Sequence, residues 1–416
     1  MNFHRHGLRN NGKYIKRERI GKGGFGVVYK AYLTLDVEER IPLAIKKVPN
    51  YDPIREGLSI PAIRELCALR RAAHPNIVTL YDAFVERSTV HLVFEYVPCD
   101  LRKMIRSPSV PPFTEGQIRG YARMLLRGVA YLHDELHTVH LDIKPENLLI
   151  AFDAATGRTT LKIGDFGTSA YYGQNRAAGM KLHGAEVQTP ELREPQAVTL
   201  WYRAPELLYG ATQYDTAVDM WSCGCVIAEL VLRKPLFQGN SELSVLSEIS
   251  ALLGDPWDGI WPGFAAFSGS KFANPRPPKD FAEMFGYAPG ATPAVLGLAQ
   301  KLVSYCPQLR GRAAEVLANE PLFVGAEDMN ETLLLPHPPP QGEVAEMNAP
   351  RRIFLSGRKP FMEQLEECVA EEGGGKDTRG PLRLDDIYDD DDDDNAVVAM
   401  TDAQINEFLS HINGDC

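Results

Sequence analysis

The string His140-Leu141-Asp142-Ile143-Lys144-Pro145-Glu146-Asn147 sets a carboxylate, an ammonium and an amide at offsets of 0, 2 and 5 residues. Pro145 keeps the segment from being helical. Phosphoryl transfer needs this set. A carboxylate orients the attacking hydroxyl and takes its proton, a cation neutralises the moving phosphoryl group, and an amide oxygen helps hold a magnesium ion. Asp165, in Asp165-Phe166-Gly167, would supply a second metal ligand.

Such groups need a frame that brings a nucleotide to them. Ile20-Gly21-Lys22-Gly23-Gly24-Phe25-Gly26-Val27-Val28 contains GxGxxG, a weak signal alone. In a dinucleotide fold it follows a strand and opens a helix, with an acid about twenty residues later. Here Val27-Val28-Tyr29 continue as a strand. The spacing instead predicts a hairpin whose amides close over phosphates, with Lys46 meeting the α- and β-phosphates. Ala44 and Ile45 make the strand around Lys46 apolar, which disfavours a merely exposed lysine. Glu65, on a helix beginning near Pro61, reads alone as a solvated glutamate; it gains a role where the strand lysine needs an acid to hold it.

Residues 14–48 alternate apolar and polar positions between glycines, which predicts strands. Residues 61–72 have helical spacing, with Ile63, Leu66 and Leu69 on one face, and 91–97 form an apolar strand ending at Pro98. From about 114 helical patterns dominate, at 114–135, 205–209, 215–232, 241–253, 295–304 and 312–318. The chain thus reads as α+β, a small strand-rich lobe and then a larger helical one, divided near Pro98-Cys99-Asp100. Past 323 come Leu335-Pro336-His337-Pro338-Pro339-Pro340, a polyproline-type segment, then Gly373-Gly374-Gly375 and the acidic run 389–394. This tail cannot bury enough apolar surface to offset ordering and is expected to be largely disordered. Some helical spacing at 396–412 (Val397, Met400, Ile405, Leu409) has two readings, a helix that folds against a partner and, the favoured one, part of the solvated tail.

The 416 residues, 44% apolar and 24% charged, suit an ordinary soluble globular protein. No apolar run is long enough to span a bilayer; the best, 220–232, contains Glu229 and reads as a buried helix. Residues 1–10 are basic and polar with no apolar segment following, so no secretory signal is expected. Seven cysteines without a CxxC pair, Cys223 and Cys225 reading as core, fit a reducing intracellular compartment, nucleus or cytoplasm. A net charge of −11 argues against direct nucleic-acid binding.

Residues 14–324, about three quarters of the chain, resemble a eukaryotic-type serine/threonine protein kinase, specifically the cyclin-dependent kinase family. Beyond the loop motifs, the likeness rests on Ile60-Pro61-Ala62-Ile63-Arg64-Glu65-Leu66, similar to a cyclin-contacting helix, and on His74-Pro75-Asn76-Ile77-Val78. It rests also on Val198-Thr199-Leu200-Trp201-Tyr202-Arg203-Ala204-Pro205-Glu206, on Leu253-Gly254-Asp255-Pro256 and on Trp261-Pro262-Gly263. The resemblance implies a two-lobe fold (14–97 and 98–324) between a short extension, 1–13, and the tail, 325–416. It implies ATP and magnesium as cofactors, with Asp142 as base, Lys144 on the γ-phosphate, and Asn147 and Asp165 holding metal. Lys46 and Glu65 would pair, and Thr199 would tie the peptide-binding loop to Asp142 and Lys144. The nucleotide would lie under Gly21, Gly23 and Gly26, its ring sandwiched by Ile20, Val28, Ala44 and Leu149. Phe94 would be the gatekeeper, the Glu95 and Val97 backbone would bond adenine, and Asp100 would lie at the ribose edge. His140 would pack with Leu69, Leu80 and Phe166, Asp219 would accept from the catalytic-loop backbone, and Glu206 and Arg310 would form a buried ion pair. Protein substrates with Ser/Thr-Pro sites and a cyclin-like activator at the 60–70 helix follow from the same resemblance.

Three departures from that family point one way. Leu141 and Ala170 stand where most members have arginine, and Glu194 occupies the position of the activating phosphothreonine. Arg64 alone would then face one carboxylate, where the usual member sets three arginines around a phosphate of nearly two charges. This predicts an active loop that needs no phosphorylation, with Thr189-Pro190 as the substitute site should one be used. Gly24 and Phe25 replace residues that carry inhibitory phosphates in several relatives. The competing reading is a pseudokinase scaffold, favoured only by Leu141 and the long 165–206 segment.

Overall fold

The computed structural model describes residues 14–23, 26–33, 42–49, 60–85, 89–172, 182–183, 200–211, 213–267 and 276–324. It divides into two compact units; in described residues, the first holds 14–67 and 79–96, the second 68–78 and the chain from 97 onward.

The first unit is an antiparallel sheet of β1 (Tyr14–Gly23), β2 (Gly26–Leu33), β3 (Pro42–Pro49), β4 (Leu80–Val85) and β5 (Thr89–Glu95), in the order β1-β2-β3-β5-β4. Side chains alternate between the faces of a strand, so β3 divides its residues two ways. Leu43 and Ile45 join Tyr14, Ala31, Phe84 and Val93 in one buried cluster. Ala44 and Lys46 take the opposite face, where Phe94 pairs with Ala44 and Val28 with Lys46. The tight β1–β2 connection depends on Gly26, whose φ is +136° and whose missing Cβ would strike the Lys47 carbonyl. Helix α1 (Ile60–Arg70) begins in this unit and supplies Glu65.

The second unit is mainly helical. After β6 (Cys99–Asp100) come α2 (Leu101–Arg106) and α3 (Glu115–Asp134). Thr114 and Gln117 form a capping box at the start of α3, each side chain bonding the other's backbone amide. Strands β7 (Thr138–Val139), β8 (Leu148–Asp153), β9 (Arg158–Ile163) and β10 (Ala170–Tyr171) flank the loop 140–147. They make a three-stranded sheet, β6-β8-β9, and a short β7–β10 ladder, both passed over by the helical reading from 114 onward. Further on lie β11 (Leu182–His183), α4 (Pro205–Leu208), β12 (Gln213–Tyr214), α5 (Ala217–Leu232), α6 (Glu242–Leu253), α7 (Pro293–Leu302), α8 (Pro307–Arg310) and α9 (Ala313–Asn319). Helix α5 is buried along nearly its whole length, Cys223 and Cys225 included. A Cβ at Gly224 would come within 2.7 Å of Leu302, so only glycine lets α7 pack this close. Among the described residues no helix is long and apolar enough to cross a membrane.

Candidate active site

Lys46 and Glu65 are both buried, and Nζ donates to Oε2 at 2.7 Å. A lysine is desolvated at such a position only with a carboxylate to answer it. Its place beside Val28, Ala44 and Phe94 gives that sheet face an apolar floor with one cation. Ile20, Gly21 and Gly23 lie on β1; Gly21 pairs with Val28 and Gly23 with Gly26. Glu95 is buried, its N–H donating to the Thr79 carbonyl at 3.1 Å while its carboxylate accepts from the Thr79 amide at 2.8 Å.

In the second unit the side chains of Asp142, Lys144 and Asn147 come together. Lys144 Nζ donates to both Asp142 oxygens, at 3.0 and 2.7 Å. Asn147 Nδ2 donates to the Asp142 carbonyl at 2.8 Å and to its carboxylate at 2.9 Å. The loop is suspended from α5: Asp219 accepts from the amides of His140 at 2.8 Å and Leu141 at 2.9 Å. His133 of α3 donates to the same carboxylate at 2.9 Å. Burial alone would raise the Asp219 pKa, but the hydrogen bonds from His133 and His140 outweigh it and hold the group below its ordinary value. The backbone so held includes Leu141 at φ +68°, a left-handed conformation that costs a non-glycine residue.

Asp165 follows Gly164, whose N–H donates to the Asn147 carbonyl at 2.9 Å, and it too is left-handed, at φ +60°. Buried His140 bonds the Gly164 carbonyl at 3.1 Å and lies edge-on to Phe166 at 4.8 Å, so it is a packing residue. Asp100 caps α2, accepting from the Lys103 amide at 2.9 Å, and pairs in register with Leu149 on β8; Val97 is half-buried. Arg310 and Glu206 meet twice, at 2.6 and 2.8 Å, fully buried. Thr199, Glu194, Thr189, Gly24 and Phe25 lie outside the described residues. The residue missed from sequence is His133, which reads there as one polar position in a helix.

A lysine–glutamate pair beside a glycine hairpin, and an Asp-Lys-Asn loop hung from a buried aspartate, define the class: a protein kinase. The protein kinase domain model matches residues 14–322. Cyclin-dependent kinase D-1 of Arabidopsis thaliana is 35% identical over 326 residues, 78% of this chain and 75% of the relative. Cyclin-dependent kinase D-1 of Oryza sativa subsp. japonica is 33% identical over 367 residues, covering 87% and 79%. The chain belongs to the cyclin-dependent kinase family of serine/threonine protein kinases.

Proposed function

We infer that the enzyme moves the terminal phosphoryl group of ATP, with magnesium, onto serine or threonine hydroxyls followed by proline. The observation that carries this is the clamping of Asp142 by Lys144 and Asn147 within 3.0 Å. Asp142 accepts the hydrogen bond of the attacking hydroxyl and takes its proton, while Lys144 neutralises charge beside it. The residues also suit a hard cation. Asn147 spends its nitrogen on Asp142, leaving the amide oxygen for a metal, with the Asp165 carboxylate as a second oxygen donor. Among the described residues no group of three or more His, Cys, Asp or Glu gathers. That fits an ion completing its shell with water and phosphate oxygens. When bound, magnesium would neutralise phosphate charge. Lys46, held by Glu65, pairs with the α- and β-phosphates, and Val28 and Ala44 offer apolar surface to the adenine.

The test is label transfer from ATP to a Ser-Pro peptide. Asp142→Asn lowers the rate by about 10²–10⁴-fold, the worth of a positioned base; equal rates would refute the assignment. A Ser-Ala peptide is the poorer substrate. Activity survives phosphatase treatment if Arg64 and Glu194 substitute for a phosphorylated loop. A cyclin-like protein docking on the 60–70 helix raises the rate by holding Glu65 against Lys46.

A further inference from the structure

An open, largely apolar groove of about 590 Å³ lies on the second unit, and none of its lining residues belongs to the catalytic loop. Its floor is Ala130 and Tyr131 at the end of α3 and Ala314, Leu317 and Ala318 of α9, with His74 at one side. The aromatic wall is fixed. The His74 ring stacks on Tyr131 at 4.9 Å, and the Tyr131 hydroxyl accepts from the Ala73 amide at 3.0 Å. Ala314 and Ala318 sit one turn apart and exposed, where a solvated helix usually carries charge. Asp134 at the rim is already paired with Arg312.

The route of the chain points to an occupant. The described residues end at Val324, six residues past Ala318 of the groove. The Phe323 carbonyl accepts from Arg123 Nη2 at 3.2 Å, and its ring lies 5.6 Å from the same guanidinium. Arg123 stands one helical turn, about 6 Å, from Arg127 on the groove rim. Residues 325–332 are a polar spacer able to reach up to about 27 Å. The uncharged apolar stretch 333–340 follows, Leu333-Leu334-Leu335-Pro336-His337-Pro338-Pro339-Pro340. Proline-rich segments dock on aromatic-lined grooves at low ordering cost. A tether this short gives the segment an effective concentration of about millimolar, ahead of free competitors.

We propose that the groove between α3 and α9 is the docking site for the chain's own segment 333–340. Hydrogen exchange on the full-length chain tests this. The amides of Leu333, Leu334, Leu335 and His337 exchange about tenfold slower than in an unstructured chain. That protection disappears in Ala314→Glu/Ala318→Glu, two exposed positions where glutamate keeps the helix, and in Leu333→Asp/Leu334→Asp/Leu335→Asp. Unprotected amides in the parent chain, or protection that survives the α9 substitutions, would overturn the proposal. Protection that fades on dilution would also overturn it, assigning the groove to a second copy.

Discussion

Two buried ion pairs in this kinase are built to different specifications. Arg310 uses all five of its N–H groups: two on Glu206 and three on the carbonyls of Ala217, Ser304 and Tyr305. Its guanidinium also lies 5.2 Å from the Trp221 ring. Lys46 is a single ammonium, and its Nζ donates to Glu65 Oε2 at 2.7 Å. A forked cation with every donor fixed locks α4, α5 and α8 into one arrangement, whereas a point charge can break and remake its contact as a helix moves. The difference separates a clamp from a latch.

The clamp should give the largest effect. Glu206→Ala strands a buried guanidinium and lowers unfolding free energy by about 3–5 kcal/mol in chemical denaturation. A loss under about 1 kcal/mol would mean that the carbonyls alone satisfy Arg310. The latch should behave oppositely. Lys46→Met with Glu65→Leu removes both charges together, so stability stays within about 1 kcal/mol of the parent. Phosphotransfer nonetheless falls about 10²–10³-fold, the scale of a lost electrostatic stabiliser.

Glu229 sharpens the contrast, because its hydrogen-bond partner is the Tyr202 hydroxyl, at 2.6 Å, and not a cation. Burial raises its pKa from 4.5 to about 7; the Tyr202 hydrogen bond opposes this, and the nearby Glu146 charge adds to it. A carboxyl raised on folding favours the native state most below pH 4.5, and that benefit is lost as pH rises through 7. Denaturation curves across this window should show the parent losing up to about 3 kcal/mol more than Glu229→Gln. The smallest effect belongs to a solvated pair. Glu242 meets Arg203 at 3.3 Å with half its side chain exposed, and Glu242→Ala changes stability by less than about 1 kcal/mol.

The loop 140–147 is legible in the sequence because its contacts are local: three side chains within six residues that bond one another. The anchor beneath it is half legible. Asp219 is expected from family resemblance, but His133, 86 residues away on another helix, carries no local mark. The division of β3 into a core face and a functional face is likewise hidden. Leu43, Ala44, Ile45 and Lys46 are all buried, which erases the usual polar alternation. The β8–β9 hairpin left a fainter trace: Thr159, Leu161 and Ile163 are buried at period two, after a turn in which Asp153 accepts from the Ala155 amide.

Asp219 holds the loop by main-chain N–H groups, which every residue type but proline provides. The path of the polypeptide past Asp142 is therefore set by the backbone at 140 and 141, with Leu141 held at the left-handed φ of +68°. A change of side chain at 141 that keeps this backbone conformation would leave both bonds to Asp219 in place.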